Sequence, residues 1–414
     1  MQKSVLCPAL VFNAPWDINF DDRLAVLMRP GRHRRIAYYY DIPDTSTFRY
    51  RVFNMVAALN AQIGDIAASW FCRADLDRME HFIERADVLI IVRARYTPGA
   101  ARLISRAKIR GIPVYFDCDD LIFNTDYVHL VGNTLDQNLE SEAVLDNWFA
   151  RISRHGTLMR LCDGAIVTNA FLAQQAEAFL QKGNVKVVPN YLNREQQNLS
   201  TTLYNVRRAN RFQNDGRINI GYFSGSPTHN HDFAIAAPAL ARLMDDEPRV
   251  HLRIVGFLEM KGKLAAHSDR IEIVPLQDYM NLQRLIAEVE INIAPLQSNL
   301  FTNCKSELKY FEAAITGTIT VASPSYTFKN SIVDGENSFL AASYEWDEKL
   351  RRACALVDAP AKYIAMAEKG FKHAVQNYSW DSHATTIEAA IFRNEQTSLE
   401  MSKSNRSLIS VDAE

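Results

Sequence analysis

The sequence lacks a cysteine pattern that could form a disulfide framework or a metal site. Its 414 residues include only six cysteines, with no C-x-x-C pair, at Cys7, Cys72, Cys118, Cys162, Cys304 and Cys354. Scattered cysteines of this kind are typical of reduced thiols in a cytosolic protein. The ten histidines form no H-E-x-x-H or similar metal-binding pattern. Motifs of serine hydrolases and P-loop ATPases are also absent, so neither class is supported.

Long apolar runs and an excess of one charge are absent as well. No stretch approaches the ~18 apolar residues that a membrane-spanning helix needs, and prolines interrupt the short apolar patch near the N-terminus, so we expect no signal peptide. The 46 basic and 48 acidic residues give a net charge of -2, which argues against a nucleic-acid partner. The one basic cluster, RPGRHRR at residues 29–35, is either a solvated loop or a peripheral contact with anionic lipid headgroups.

What the sequence does contain is two series in which short apolar runs alternate with amphipathic helical segments. The first series includes IAYYYDI, VLIIVRA, PVYFDCDD and GAIVTNA, and the second includes INIGYFSG, VHLRIVG, INIAPL and TITVAS. Such alternation predicts an α/β protein with parallel sheets and helices on both faces. Functional residues are then expected at the carboxyl ends of the strands.

The chain is too long for one ordinary core, and two domains are expected. The polar, aperiodic segment 191–217 predicts their connection. We place the first domain at residues 1–200 and the second at 201–375. Residues 376–414 are expected to form a helix that crosses back to the first domain, followed by a disordered polar tail.

The segment NCKSELKYFEAAITG, residues 303–317, predicts an amphipathic helix with Asn303 as its N-cap. At ~100° per residue, Lys305, Lys309 and Glu312 fall within an arc of about 60° on one side of it. Both lysines lie near the helix start, where the helix dipole already favours an anion. The pattern therefore indicates either an anion-binding site or a solvated helix face.

Other polar residues follow predicted strands. Gly225 and Ser226 form either a small-residue turn whose backbone amides approach a phosphate or a simple tight turn. His229 and Asp232 either line the same site or cap the following helix. Arg49 and Arg51, in TSTFRYRVFN, either contact an acceptor phosphate or pair with nearby acids.

The segment IAPLQSNLFTNCKSELKYFEAAITGTITVAS, residues 293–323, resembles the donor-binding core of GT-B-fold glycosyltransferases, in the large retaining family called group 1. IGYFSGSPTHNHDF, CDGAIVTNAFL and NYSW resemble that group at the corresponding places and in the same order. The resemblance covers residues 36–390 and is strongest over 218–340. It implies two Rossmann-like domains facing across a cleft, with the nucleotide sugar held mainly by the second and the acceptor mainly by the first.

Residue by residue, Glu312 matches the second glutamate of the family's pair, which contacts the donor ribose, while Cys304 replaces the first. The family's arginine and lysine after the first strand of the second domain are missing, and Lys305 and Lys309 could replace them at the donor diphosphate. Lys305 is thus the predicted catalytic cation. The predicted donor site consists of Gly225, Ser226, His229, Ser306, Lys309 and Glu312.

The acids of FDCDD, Asp117, Asp119 and Asp120, follow a buried strand of the first domain. We expect Asp119 or Asp120 to orient an acceptor hydroxyl as a catalytic residue. A helix-capping role and a Mg²⁺ or Mn²⁺ site, suggested by D-x-D motifs in glycosyltransferases of the other major fold, remain alternatives. We expect metal-independent transfer that needs no cofactor.

The resemblance implies transfer of a hexose or deoxyhexose from a nucleotide-diphosphate sugar to a glycan or lipid-linked glycan. Retention and a role in surface polysaccharide or glycoconjugate biosynthesis follow from the family. The expected location is the cytoplasm, with a peripheral position at the inner face of the membrane left open. A sugar-nucleotide epimerase and a non-catalytic sugar-nucleotide-binding subunit remain alternatives.

Overall fold

The computed structural model describes residues 7–62, 64–181, 183–225, 228–258 and 262–392. Its first domain contains a sheet of six strands: β1 (Arg34–Tyr40), β2 (Ile66–Cys72), β3 (Val88–Val92), β4 (Val114–Cys118), β5 (Gly164–Val167) and β6 (Val185–Val187). All neighbours are parallel, in the order β2-β1-β3-β4-β5-β6.

The second domain contains another sheet of six parallel strands. They are β7 (Ile218–Ser224), β8 (Val250–Gly256), β9 (Ile271–Val274), β10 (Ile291–Ala294), β11 (Ile319–Ala322) and β12 (Phe339–Leu340). Their order is β12-β11-β10-β7-β8-β9. The central strands are buried along their whole length, as parallel sheets covered by helices on both faces require. The predicted α/β architecture is therefore confirmed.

Helices connect the strands of both sheets. In the first domain they are α1 (Phe20–Leu27), α2 (Asn54–Ala61), α3 (Met79–Ile83), α4 (Pro98–Ile109), α5 (Val128–Thr134), α6 (Glu142–Leu161) and α7 (Ala170–Leu180), and α8 (Arg194–Ala209) follows. In the second they are α9 (Asn230–Ala234), α10 (Ala237–Asp246), α11 (Tyr279–Ala287), α12 (Leu300–Asn303), α13 (Leu308–Ala314), α14 (Tyr326–Ser331), α15 (Trp346–Val357) and α16 (Pro360–Tyr378). A last helix, α17, spans residues 383–392. None of the helices in the described part of the chain has the length and apolar character needed to cross a bilayer.

Some local predictions differ from the structure. The segment predicted as a polar connection, 191–217, contains the amphipathic helix α8, and the boundary placed after residue 200 falls inside it. The segment FRYRVFNMVAALNAQI, which starts at residue 48 and whose pattern predicts one amphipathic helix, starts with a π-helical turn, Arg49–Phe53, before α2. The tail predicted to be disordered from about residue 396 lies outside the described residues.

The two ends of the described chain link the domains. Helix α17 packs on the first domain, where Ile387 and Ile391 join the apolar cluster of Ile36. Arg34, from the basic cluster, pairs with Glu388 of this helix at 2.9 Å. The N-terminal segment contacts the second domain. The Leu10 backbone N–H donates to the side-chain oxygen of Asn281 in α11 at 2.9 Å, and the Leu10 carbonyl accepts from the side-chain nitrogen of Asn281 at 3.0 Å.

The segment 379–380 that leads into α17 lies directly against α8. The Gln197 side chain donates to Ser379 Oγ at 2.9 Å and accepts from the Trp380 backbone N–H at 3.1 Å. The two passages of the chain between the domains are therefore hydrogen-bonded to each other.

Replacing Gly156 in α6 by alanine should destabilise the first domain by about 1–3 kcal/mol. A Cβ at this position would lie 2.1 Å from the Phe123 carbonyl oxygen, so α6 would have to move away from the end of the β4 segment. The melting temperature from calorimetry measures the effect. Gly183→Ala is the matched control, since its Cβ would meet no atom within 4 Å, and an equal melting temperature for both variants would contradict the prediction.

Candidate functional site

The carboxyl ends of both sheets border one cavity of about 500 Å³, which we call the cleft. Its wall includes residues that follow β1 and β4 in the first domain, and residues that follow β7 or surround α13 in the second. A smaller cavity of about 180 Å³, the side cavity, is lined by four of the same residues, Arg93, Asp120, His229 and Lys305. The cleft lies where parallel sheets usually carry their functional groups.

The predicted helix over residues 303–317 is instead two helices with a bend between them. α12 starts at a capping box formed by Asn299 and ends at Asn303, so Asn303 is not an N-cap. The Cys304 carbonyl accepts a hydrogen bond from the Asn169 side chain at 2.8 Å, from the first domain. That carbonyl therefore bonds outside the helix, and α13 begins only at Leu308. Lys305 lies in the bend rather than in a helical first turn.

Lys305 and Lys309 both line the cleft. The Lys305 ammonium lies 5.0 Å from the ring centroid of Phe301, and the Lys309 ammonium lies 4.6 Å from that of Tyr222. Burial lowers the pKa of Lys309 to about 8, although Asp232 and Glu312 oppose the shift and Lys305 adds to it. Among the residues that the structure describes, no carboxylate forms an ion pair with either ammonium. The two lysines are thus cations available to a ligand in the cleft.

Glu312, the predicted ribose contact, lines the cleft, and residues of the first domain and of α8 donate hydrogen bonds to its carboxylate. Its Oε1 accepts hydrogen bonds from the Tyr50 hydroxyl, from Arg49 Nη2 at 3.3 Å and from Gln196 Nε2 at 3.1 Å. The Arg49 guanidinium also packs on the Tyr50 ring, 3.9 Å from its centroid. Arg49 therefore reaches the cleft as predicted, but as the ion-pair partner of Glu312.

The acceptor-site prediction for Arg51 is wrong. The Arg51 side chain is fully buried and makes a two-pronged ion pair with Asp117, with N–O distances of 2.8 and 2.7 Å. Its Nη1 donates to the Val188 carbonyl at 2.7 Å, and Arg51 lines neither cavity. Residues two apart on a helical turn lie on roughly opposite sides, so when Arg49 faces the cleft Arg51 faces the core.

The acids of FDCDD lie at the end of β4 and face different surroundings. Asp117 is buried with Arg51, whereas Asp119 and Asp120 line the cleft and share Arg93, at 2.7 and 3.2 Å. Asp119 also accepts from the Thr47 hydroxyl at 3.0 Å. In this arrangement arginine side chains balance the three carboxylates.

The two cleft acids differ in their protonation energetics. Burial favours the neutral form of Asp119, but Arg93 and Arg51 outweigh burial and lower its pKa. Burial raises the pKa of Asp120, with a further contribution from Asp119, despite the opposing charge of Arg93. Asp120 is therefore the more basic of the two carboxylates. Among the described residues, no three histidine, cysteine, aspartate or glutamate side chains are grouped as metal ligands.

His229 lines both cavities and makes no side-chain cap to the helix that follows. Its Nδ1 lies 3.1 Å from the carboxylate of Asp232. Burial lowers the pKa of His229 to about 4, and both lysines add to the shift, so the ring is neutral at pH 7. Gly225 and Ser306 also line the cleft, while Ser226 lies outside the described residues.

Several residues of the site escaped the sequence analysis. Arg93 carried a usable signal, because it directly follows the buried strand β3. Tyr50 and Gln196 lie inside helical segments, where nothing in the local pattern separates them from structural polar residues. Their roles become visible only when the two domains are placed together.

Residues 218–358 match the model of the family described as "Glycosyl transferases group 1". No curated protein matches the chain in sequence. The matched range contains β7 to β12 and the segment with Lys305, Lys309 and Glu312. The second domain is therefore a group 1 glycosyltransferase domain.

Similar solved structures extend the likeness to both domains. Alr3699/HepE of Anabaena, solved with UDP and glucose, has a TM-score of 0.54 at 15% identity, covering 85% of this chain and 97% of that one. A glycosyltransferase of Rickettsia africae has a TM-score of 0.56 at 11% identity, covering 86% and 97%. Sucrose-phosphate synthase of Thermosynechococcus elongatus has a TM-score of 0.52 at 14% identity, covering 91% and 99%. This chain shares their GT-B fold.

Proposed function

We propose that this chain, a glycosyltransferase of GT-B fold with a group 1 domain, moves a hexose or deoxyhexose from a nucleoside-diphosphate sugar to a glycan or lipid-linked glycan. The observation that carries the proposal is the pair of lysines, Lys305 and Lys309, that faces the cleft without acidic partners in the described chain. Alr3699/HepE has also been solved with UDP-glucose. Retention, a role in surface polysaccharide or glycoconjugate synthesis and a cytoplasmic location, peripheral at the inner membrane face, complete the proposal.

The lysines suit the departure of a nucleoside diphosphate. Such a leaving group carries about two negative charges and gains more as the glycosidic bond breaks, so fixed cations stabilise the transition state more than the ground state. Lys305 lines the side cavity together with Asp120 of the first domain, whereas Lys309 lies against the Tyr222 ring and lines only the cleft. We assign Lys305 to the phosphate nearer the sugar and Lys309 to the other. Glu312 would then contact the ribose.

On the acceptor side, Asp120 is the better candidate of the two acids. Its raised pKa makes it a stronger base than Asp119. Both carboxylates pair with Arg93, but that of Asp119 also accepts a hydrogen bond from the Thr47 hydroxyl. A front-face displacement needs the acceptor hydroxyl near the leaving phosphate, and both Asp120 and Lys305 border the side cavity where that hydroxyl would enter. The step as proposed uses side chains alone and needs no metal ion.

A panel of nucleotide sugars tests this function. A true donor stabilises the folded chain by mass action and raises its melting temperature. The same donor is then incubated with the enzyme, alone and with glycan or lipid-linked acceptors, and the products are separated. Sugar transfer supports the proposal, whereas an epimerised donor or tight binding without turnover contradicts it.

The affinity for UDP should fall as the pH rises through the pKa of Lys309. Because the pKa of Lys309 in the free protein is about 8, the ammonium is charged below that pH and loses its proton above it. A neutral amine no longer attracts a diphosphate. We expect the dissociation constant to increase by about three- to tenfold between about pH 7 and about pH 9.5, measured by calorimetry.

The variant Lys309→Met is the control for this pH dependence. It should bind UDP more weakly than the parent at pH 7 and show a flatter profile. A parent profile that stays flat, or a Lys309→Met profile as steep as that of the parent, would place Lys309 away from the diphosphate.

A further inference from the structure

The side cavity has a composition that the transfer of a neutral sugar does not explain. One part of its wall is apolar and lies on the first domain and α12, formed by Ile122, Val131, Leu135, Trp148, Ile152 and Phe301. Arg151, from the exposed face of α6, lines the same cavity. At the other side the cavity meets Asp120 and Lys305 of the cleft. A molecule that occupied the side cavity would therefore extend to the proposed site of sugar transfer.

Positive charge dominates the surroundings of this cavity. The Arg151 guanidinium lies 4.8 Å from the ring centroid of Trp148, and in the described part of the chain neither Arg151 nor Arg95 has a carboxylate partner. Burial lowers the pKa of Arg151, and the nearby charges of Arg95 and Arg93 lower it further. The same field reaches His155, whose pKa falls to about 3 through burial and the neighbouring arginines. Arg93, in contrast, is balanced by Asp119 and Asp120.

We propose that the side cavity is the acceptor subsite and that the acceptor carries an anionic group, a carboxylate or a phosphate, which Arg151 binds. This inference rests on the proposed function and adds the chemical class of the acceptor. The Arg151 guanidinium can donate to two oxygens of a carboxylate or of a phosphate at once, and its packing on the Trp148 ring restricts its orientation. Trp148 and Ile152 would pack against the ring or aglycone that carries the anion. A neutral acceptor would leave Arg151 without an anionic partner.

Two sugars that differ only at C6 test the charge preference. Binding of 4-nitrophenyl β-D-glucuronide and 4-nitrophenyl β-D-glucoside to the full chain, with and without saturating UDP, is measured by calorimetry or ligand-observed NMR. A charge-assisted hydrogen bond predicts that the glucuronide binds at least about tenfold more tightly. Arg151→Gln should reduce the preference to about twofold. Arg160→Gln, on the same helix but outside both cavities, should keep it.

A third probe, 4-nitrophenyl phosphate, distinguishes the two sources of the anion. Tighter binding of this probe than of the glucuronide assigns the charged group to a phosphate, and the reverse order assigns it to a carboxylate. Equal affinities for glucuronide and glucoside, no measurable binding of either anionic probe, or a preference that survives in Arg151→Gln would overturn the inference. UDP binding is measured separately, so a chain that binds UDP without any anion preference refutes only the acceptor class. A chain that fails to bind UDP or any nucleotide sugar refutes the proposed function.

Discussion

Replacing Lys305 by alanine should lower kcat by about a hundredfold or more while leaving the fold intact. Lys305 lies in a bend, its ammonium has no acidic partner in the described chain, and it borders both the cleft and the side cavity. Its removal breaks no ion pair that the structure contains, so stability should change little. The leaving phosphate, however, would lose a cation at the moment when its charge grows. Single-turnover rates with saturating donor measure the effect directly.

Lys329→Ala is the matched control for this variant. Lys329 is an exposed lysine on α14, in the same domain and outside the cleft, so its replacement should leave kcat unchanged. A melting temperature close to that of the parent shows that each variant is folded. If Lys305→Ala turned over as fast as Lys329→Ala, Lys305 would not contact the diphosphate.

Replacing Arg51 by methionine should destabilise the protein by about 3–5 kcal/mol. The Arg51 guanidinium is fully buried, and it compensates the carboxylate of Asp117 through two hydrogen bonds. Without it Asp117 would have to stay charged in an apolar interior or take up a proton. Arg51 also connects β4 to the segment after β6, because it bonds both Asp117 and the Val188 carbonyl. Its loss should therefore weaken the packing at this edge of the first sheet.

The double variant Arg51→Met/Asp117→Leu separates the loss of packing from the buried charge. Because it removes both charges together, it should recover much of the stability that Arg51→Met loses. Melting temperatures and unfolding enthalpies from calorimetry provide the comparison. A double variant that is less stable than Arg51→Met would show that the carboxylate is not the main source of the loss.

The sequence predicted the sheets well because their signal is local. Central strands such as β3 are short apolar runs, and their alternation with helices implies parallel pairing. The edge strand β2 was missed, although its run IAASWFC is buried and directly follows Gly64 and Asp65, two residues typical of turns. The long helix α6 was missed as well, since its weakly amphipathic pattern contains many charged residues.

The candidate site was only partly predictable, for a physical reason. Residues that follow strands, such as Asp119 and Asp120, could be placed because topology alone brings them to the sheet edge. At the bend, the Cys304 carbonyl accepts a hydrogen bond from Asn169, 135 positions earlier in the chain, instead of bonding within the helix. The partners of Glu312 likewise come from the first domain and α8. Contacts between distant segments leave no periodic trace in the sequence.

The paired crossings at α8 and at residues 379–380 have a mechanical consequence. Gln197 joins the two interdomain segments by hydrogen bonds. We therefore expect the domains to rotate relative to each other about one hinge axis at this point, with less freedom than a single connecting segment would allow. Rotation about that hinge would change the width of the cleft most at the side far from the hinge and least at the side next to it. The hydrogen bonds between the Leu10 backbone and the Asn281 side chain also connect the two domains. They therefore limit how far the cleft can open before one of them must break.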